Sequence, residues 1–275
     1  MAKKISVALI GAGSMGGALL RGWLEESVID PARSAVFDPA PSDWLKKTAR
    51  DAGFAINPAI NPAIDACDVD ALVIAVKPQV VEAVLAPFAK IAARTLSVSV
   101  MAGKSVASIS RALGGARNIV RAMPNLPAAV GAGASALYAS GDVDDGGRKV
   151  AEILMTAVGD AIWVDSEKSI DAVTAISGSG PAYFFLLGEA LEEAARALGL
   201  PEDAARRLAR ATLVGAGAYA AGDARALDTL RRAVTSPGGT TEAALKIFDG
   251  EDARLRTLVK EATAAAARRA GELTN

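Results

Sequence analysis

Residues 234–245, V-T-S-P-G-G-T-T-E-A-A-L, combine the residue types that bind a small anion. The glycines and the proline predict a tight turn, and the helix formers that follow predict a helix with Thr240 or Thr241 as its N-cap. Such a turn presents unpaired backbone amides and the positive end of the helix dipole, which together bind a carboxylate or a phosphate. A tight corner between two helices without a ligand is the alternative.

A second glycine-rich segment lies near the N-terminus. Gly11, Gly13 and Gly16 form G-x-G-x-x-G between a β-rich run, residues 5–10, and an apolar helical run, residues 18–24. The first glycine permits a tight turn, the second lets the backbone approach a pyrophosphate, and the third lets the helix pack on the strand. This arrangement predicts a dinucleotide site.

The next apolar run ends at Asp38, 22 residues after Gly16. An acidic residue at this distance binds the ribose 2′-hydroxyl of NAD, whereas NADP-dependent proteins more often place an arginine there. Asp38 therefore favours NADH. A role as a helix cap or a turn residue is the alternative.

Further strands alternate with helices through the first 165 residues. Strands are predicted at residues 71–76, 96–100, 118–123, 132–139 and 161–164, and helices at 44–52, 80–91, 105–113 and 143–158. This alternation predicts βαβ units in a doubly wound sheet of the Rossmann type. Ligands bind beyond the carboxyl ends of such strands, so Lys77 and Pro78, which follow residues 71–76, are expected to lie at the cofactor.

The strand signal stops near Asp165, and the remainder is almost wholly helical in pattern. We predict a dinucleotide-binding domain at residues 1–166 and a helical domain at 167–275. The helical part is rich in alanine, with small residues at Gly215, Gly217 and Ala221. These helices would form a modest core alone, so we expect them to pack against a second copy of the chain.

Composition excludes several classes of function. The chain has 30 basic and 31 acidic residues without a basic stripe, so neither nucleic acid nor an anionic membrane surface is an expected partner. It has no histidine and one cysteine, which argues against a metal site and suggests a reducing, cytoplasmic compartment. The longest uncharged run, residues 122–141, contains two prolines and is a poor membrane span.

Five motifs occur in a recognisable order: I-G-A-G-S-M-G, A-V-K-P, R-A-M-P-N, S-G-S-G-P-A-Y and V-T-S-P-G-G-T-T. In this order the chain resembles the pyrroline-5-carboxylate reductase family along essentially its whole length. The resemblance implies a Rossmann domain joined to a helical dimerisation domain. It also implies a homodimer, with a ring of dimers as a further alternative, that reduces L-1-pyrroline-5-carboxylate to L-proline with NADPH or NADH.

The resemblance also implies site residues. Ser236, Gly238, Gly239, Thr240 and Thr241 would hold the substrate carboxylate, and the Thr241 hydroxyl would bond the ring nitrogen as the catalytic group. The cofactor would contact residues that follow the strands, namely Ile10, Gly11, Ala12, Gly13, Ser14, Met15, Gly16, Asp38, Asn61, Ala75, Val76, Lys77, Pro78, Val100, Met101 and Ala102.

Two places depart from the family pattern. Members that prefer NADPH have small or basic residues where this chain has Asp38, which leaves the choice between NADPH and NADH open. Many members carry an acidic residue followed by His-Pro before the C-terminal motif, where this chain has G-D-A-R-A-L-D at residues 222–228. Alternative functions are a related hydroxyacid or imine dehydrogenase and a non-catalytic dinucleotide-binding protein. Dehydrogenases of that kind usually place a lysine in the first interdomain helix, and residues 172–187 contain none. We expect a structural role for Lys77, or one at the edge of the cofactor site, and packing for Tyr183. We expect Arg121 either to face the cleft or to cap the sheet.

Overall fold

The computed structural model of the protein describes residues 3–58 and 69–274. They form two compact units. The first comprises the described residues up to Ser179 and from Ala266 onward, and the second is Gly180–Ala265. The domain limit predicted at 166/167 stays a prediction.

The first unit contains a sheet that confirms the predicted doubly wound architecture. Its strands are β1 Val7–Ile10, β2 Ala35–Phe37, β3 Ala55–Ile56, β4 Ala71–Ile74, β5 Leu96–Ser99, β6 Ile119–Met123, β7 Gly133–Ala139 and β8 Gly159–Trp163. Their order is β3-β2-β1-β4-β5-β6-β7-β8, and every neighbouring pair is parallel except β6 and β7. The short β3 was not predicted, because two residues carry no periodicity.

Helices cover the sheet. They are α1 Ser14–Glu25, α2 Asp43–Ala52, α3 Val81–Leu85, α4 Ala89–Ala92, α5 Val106–Ala112, α6 Asp145–Thr156 and α7 Ser169–Val173. The single helix predicted at residues 80–91 is wrong: a 3₁₀ turn at Pro78–Val80 precedes α3, and a second one at Ala86–Phe88 separates α3 from α4. Pro87 explains the second break, because proline lacks an amide donor and clashes with the preceding turn. The predicted cap of α5 is confirmed, since the Ser105 hydroxyl accepts from the Ser108 amide at 3.2 Å.

The core of the first unit lies on both faces of the sheet. One cluster packs α1 and α6 on the strands through Leu19, Trp23 and Leu154, and the other packs the α3–α5 region through Leu85 and Ile109. Full burial of each such side chain contributes about 1.5–3 kcal/mol, so the first cluster fixes α1 against β1. That contact places the start of α1 beside the glycine segment.

The second unit is helical. It contains α8 Gly180–Ala197, α9 Glu202–Ala221, α10 Leu227–Ala233, α11 Thr240–Asp249 and the first part of α12 Arg254–Thr274. Of its hydrophobic residues, three are buried: Ala205, Ala209 and Leu230. Large side chains such as Phe184, Phe185 and Leu186 are about 60% exposed (60%, 59% and 65%). Apolar surface of this extent is typical of an interaction surface.

One segment among the described residues, Ser169–Ala197, is helical, long and apolar enough to cross a membrane by length and composition alone. It includes α7, a π-helical turn at Thr174–Gly178, and α8. A helix whose apolar face packs against a second subunit has the same composition. The predicted absence of membrane binding stays a prediction.

Candidate functional site

The carboxyl ends of β1, β2, β4 and β5 lie side by side at one edge of the sheet. Ile10 pairs with Phe37 on one side and with Ile74 on the other, and Ile74 pairs with Ser99. The chain runs from β1 to β2 in one direction and enters β4 in the other, so the strand order reverses between β1 and β4. Dinucleotides bind at this switch point in open α/β sheets.

The glycine segment lies at that point, and its three glycines meet different surroundings. Gly11 has a φ of 89°, and a Cβ there would lie 2.8 Å from the Ala75 carbonyl oxygen. A Cβ on Gly16 would lie 2.0 Å from the Gly11 carbonyl oxygen. Gly13, by contrast, is exposed and has no described heavy atom within 4 Å of its Cβ position. The fold thus requires Gly11 and Gly16, whereas Gly13 leaves room for a ligand such as a pyrophosphate.

Asp38 joins the end of β2 to this loop. Its Oδ2 accepts from the Ala12 amide at 2.8 Å and its Oδ1 accepts from the Ala40 amide at 2.9 Å. The Asn57 side chain donates to the Asp38 carbonyl oxygen at 2.7 Å and accepts from its amide at 2.9 Å. The carboxylate is therefore fixed beside the glycine loop, where its remaining lone pairs can accept from ribose hydroxyls. Its charge disfavours a phosphate at the same place.

The two other predicted cofactor segments reach the same edge. The Ala75 amide donates to the Ile10 carbonyl oxygen at 2.8 Å, and the Val100 amide donates to the Ile74 carbonyl oxygen at 3.0 Å. Residues 10–16, 38, 75–78 and 100–102 are thereby brought together, as expected from the sequence, although their contact with a cofactor stays a prediction. Asn61 lies outside the described residues.

The predicted substrate loop joins α10 to α11 in the second unit. The Gly239 amide donates to the Ser236 carbonyl oxygen at 3.0 Å, with Pro237 and Gly238 between them and a φ of 72° at Gly238. Proline at the second position and a left-handed glycine at the third are typical of a type II turn. This turn engages the Gly239 amide, so that amide is already paired.

The N-cap predicted for this loop is wrong. The helix α11 begins at Thr240, and its N-cap is Gly239, which has no side chain that could cap. Within the described part of the chain, the amides of Thr240 and Thr241 have no acceptor, and the hydroxyls of Ser236, Thr240 and Thr241 form no hydrogen bond. Because Ser236 and Thr240 are exposed and Thr241 is half-buried, these donors are accessible to a small anion.

Glu242 fixes the turn, a role that we did not predict. Its Oε2 accepts from the Gly238 amide at 2.6 Å, and Lys246 lies 3.5 Å from its Oε1. The Gly238 amide lowers the pKa of the Glu242 carboxyl below its ordinary value, and Lys246 lowers it further. The sequence signal for this contact is a glutamate three residues after the N-cap, as in a capping box.

Three side chains that invited a catalytic reading lie in different surroundings. Lys77 is exposed at the end of β4, and Tyr183 is 37% exposed on α8. Arg121 on β6 is buried, and its Nη1 donates to Glu167 Oε1 at 2.8 Å. The structure therefore places Arg121 in the sheet, the second of the two expectations left open by the sequence. Across residues 3–58 and 69–274, no group of three or more Asp, Glu, Cys or His residues could hold a metal ion.

Known proteins resemble this chain along nearly its whole length. A family model described as pyrroline-5-carboxylate reductase dimerisation matches residues 167–273, and one described as NADP oxidoreductase coenzyme F420-dependent matches residues 6–103. A pyrroline-5-carboxylate reductase of Pseudomonas aeruginosa is 43% identical over 271 residues, which cover 97% of this chain and 96% of the relative.

The chain belongs to the pyrroline-5-carboxylate reductase family.

Solved structures agree with this membership. A pyrroline-5-carboxylate reductase from Coxiella burnetii superimposes with a TM-score of 0.90 at 38% identity and covers 99% of this chain and 100% of its own. The pyrroline carboxylate reductase of Plasmodium falciparum, solved with NADP bound, has a TM-score of 0.79 at 25% identity and covers 98% of both chains. The family resemblance, the fold class and the two-part architecture expected from the motifs are confirmed.

Proposed function

We propose that this chain reduces L-1-pyrroline-5-carboxylate to L-proline with NADPH or NADH. The observation that carries the proposal is that this chain, a member of the family, has two separate sites, each suited to one of the two reactants. A glycine loop at the sheet edge is open at Gly13, and a separate turn presents the amides of Thr240 and Thr241, which have no acceptor among the described residues. The first suits a dinucleotide pyrophosphate and the second suits a carboxylate.

The reaction needs orientation more than acid–base groups. When bound, the reduced cofactor supplies a hydride to the C=N carbon of the substrate, and the ring nitrogen takes up a proton. The Thr240 and Thr241 amides with the Ser236 hydroxyl hold the substrate carboxylate. The Thr241 hydroxyl donates to the ring nitrogen, unless the substrate arrives as the iminium ion. Alignment of donor and acceptor supplies about 7–11 kcal/mol of the barrier, so a chain without histidine suffices.

The cofactor preference follows from Asp38. Its carboxylate is held beside the glycine loop by the Ala12 amide, and it accepts a hydrogen bond from ribose hydroxyls but repels a 2′-phosphate. We therefore propose that the chain accepts both cofactors and favours NADH.

A homodimer is the proposed assembly. The dimerisation family model and the exposed apolar side chains of α8 support it. A ring of dimers and a cytoplasmic location stay predictions.

Oxidation of reduced cofactor tests the proposal. The full-length protein is mixed with pyrroline-5-carboxylate and either NADH or NADPH, the loss of absorbance of the reduced nicotinamide is followed, and proline is identified by mass spectrometry. We expect oxidation with both cofactors and a higher kcat/KM for NADH. A protein that binds the cofactor but never oxidises it is a dinucleotide-binding protein, and turnover only with hydroxyacids or other imines assigns it to a related dehydrogenase.

A further inference from the structure

Glu167 lies in the turn just before α7, and its side chain connects α5 with β6. Its Oε1 accepts from the Val106 amide at 2.6 Å and from Arg121 Nη1 at 2.8 Å. The Glu167 side chain is 30% exposed and the Arg121 side chain 3%. Glu167 therefore joins the first residue of α5 to a charge that is buried in the sheet.

The two partners of Glu167 flank the stretch of chain that contains the cofactor segment Val100–Ala102. Arg121 pairs with Ser99, the last residue of β5, directly before the segment. Val106 begins α5, four residues after Ala102. The chain thus leaves β5 beside one partner of Glu167 and enters α5 at the other. A carboxylate bonded to both partners holds the distance between the end of β5 and the start of α5.

The residue after this segment, Gly103, lies close to the end of α12. Gly103 has a φ of 65°, and a Cβ there would lie 3.0 Å from both the Cβ and the carbonyl oxygen of Leu273. Leu273 is in the last turn of α12, within the part of that helix that belongs to the first unit. Glu167 and Leu273 are the two ends of the region that matches the dimerisation family model. The cofactor segment is therefore bounded by both ends of that region.

We propose that Glu167 is a positioning residue for the cofactor, because it holds Arg121, beside the end of β5, and Val106, at the start of α5, and so fixes the stretch that contains the 100–102 segment without contacting the cofactor. The proposal rests on the cofactor site proposed above. Loss of the Glu167 carboxylate would leave the Val106 amide without its acceptor and the buried Arg121 guanidinium without its counter-ion. The Arg121 Nε already lacks a hydrogen-bond partner among the described residues, so the guanidinium would seek a new one. Such a rearrangement moves β6 or admits water beside Ser99.

Two variants and a matched control test this role. Glu167→Ala removes both hydrogen bonds, whereas Glu167→Gln keeps an oxygen acceptor and loses the charge. Asp70 provides the control, because it also accepts a backbone amide and a cation. It accepts from the Ser6 amide at 2.9 Å and from Lys3 at 3.0 Å, and its side chain is 23% exposed. It lies at the amino ends of β1 and β4, the sheet edge opposite the cofactor segments.

The measurements are the cofactor dissociation constant, KM for each substrate, kcat and the urea midpoint of the full-length protein. We expect Glu167→Ala to raise the dissociation constant and KM of the cofactor about tenfold, the scale of one lost hydrogen bond to a charged group. We expect KM for pyrroline-5-carboxylate and kcat at saturating cofactor to stay within a factor of about two. Glu167→Gln should recover part of the cofactor affinity, and Asp70→Ala should lose stability with unchanged cofactor affinity.

Three results would overturn the role. They are unchanged cofactor affinity in Glu167→Ala, an equal loss of affinity in Asp70→Ala, and an equal rise in both substrate KM values. If Glu167→Ala does not fold, the cofactor affinity of Glu167→Gln is the deciding measurement. Wild-type cofactor affinity together with wild-type stability in Glu167→Gln would refute the need for a charge on Glu167. Failure of the proposed function is distinguishable, because the wild-type protein would then bind cofactor without oxidising it.

Discussion

Gly16→Ala should disable the cofactor site through the fold of the loop. A Cβ at this position must move from 2.0 Å to the 3.4 Å of an ordinary contact with the Gly11 carbonyl oxygen, a separation of about 1.4 Å. Neither partner is a flexible side chain, so the start of α1 must shift away from the end of β1. Overpacking of this kind costs about 1–3 kcal/mol. A displacement near 1 Å lowers rates about a hundredfold, which we expect for kcat/KM of the cofactor.

Two neighbouring glycines provide controls. A Cβ on Gly17 would lie 3.4 Å from the Ala12 carbonyl oxygen and 3.6 Å from the Trp44 ring, which are ordinary contacts. Gly17→Ala should keep cofactor affinity and stabilise α1 by about 0.5–1 kcal/mol, because alanine has the higher helix propensity. Gly13→Ala meets no described atom within 4 Å, so it should change stability little. It should nevertheless weaken cofactor binding about tenfold, since its Cβ occupies the space of the pyrophosphate.

The assay combines isothermal titration of NADH with urea unfolding for all three variants. The expected pattern is loss of both affinity and stability in Gly16→Ala, loss of affinity alone in Gly13→Ala, and loss of neither in Gly17→Ala. Wild-type affinity in Gly16→Ala would refute the claim that the loop must touch α1 here. Wild-type affinity in Gly13→Ala would refute the assignment of that open space to the cofactor.

Three further predictions concern single side chains. Thr241→Ala should lower kcat about a hundredfold with little change in cofactor KM, and Thr241→Ser should restore turnover; unchanged kcat in steady-state assays of Thr241→Ala would exclude the hydroxyl from the reaction. Asp38→Asn, which keeps one acceptor oxygen, should lower the ratio of kcat/KM for NADH to that for NADPH about tenfold, and a strong NADPH preference of the wild-type protein would contradict this prediction. Burial alone would raise the pKa of Asp70, but hydrogen bonds from Ser6 and the contact with Lys3 lower it overall. The stability that this carboxylate contributes is therefore complete above its unfolded pKa of about 3.9 and is lost as the pH falls through its lower folded pKa. The urea midpoints of the wild-type protein and Asp70→Asn should accordingly converge in acid. A difference between the two midpoints that stays constant with pH would refute a contribution from the Asp70 charge.

Sequence pattern predicted the structure correctly where the residues of a site and the residues that form its secondary structure lie in the same short segment. The glycine spacing at residues 11–16 and the apolar runs of β4 and β5 predicted both the elements and the edge where their ends meet. The Ser105 cap could be predicted for the same reason, since its bond spans three residues. Pro87 was visible too, yet the periodicity of residues 80–91 outweighed it in the prediction of one helix, and that prediction was wrong.

Contacts between distant residues were beyond such patterns. Nothing within a few residues of Arg121 indicates Glu167, 46 positions away, and the choice between cleft and sheet for Arg121 stayed open until the pairing of β6 with β5 was known. The substrate loop shows the same limit at shorter range. Its composition predicted an anion site, but only the backbone conformation showed that Gly239 is the N-cap and that its amide is already used in the turn.

Motif order and periodicity are properties of the chain alone, and they were enough to predict the family, the fold class and the segments that carry the two candidate sites. Tertiary structure decided which of those segments become neighbours and which of their polar atoms are still free to bind a ligand. The physical reason is that strand register and helix packing set distances between residues far apart in the chain, and hydrogen-bond donors are available only where no other part of the fold has engaged them.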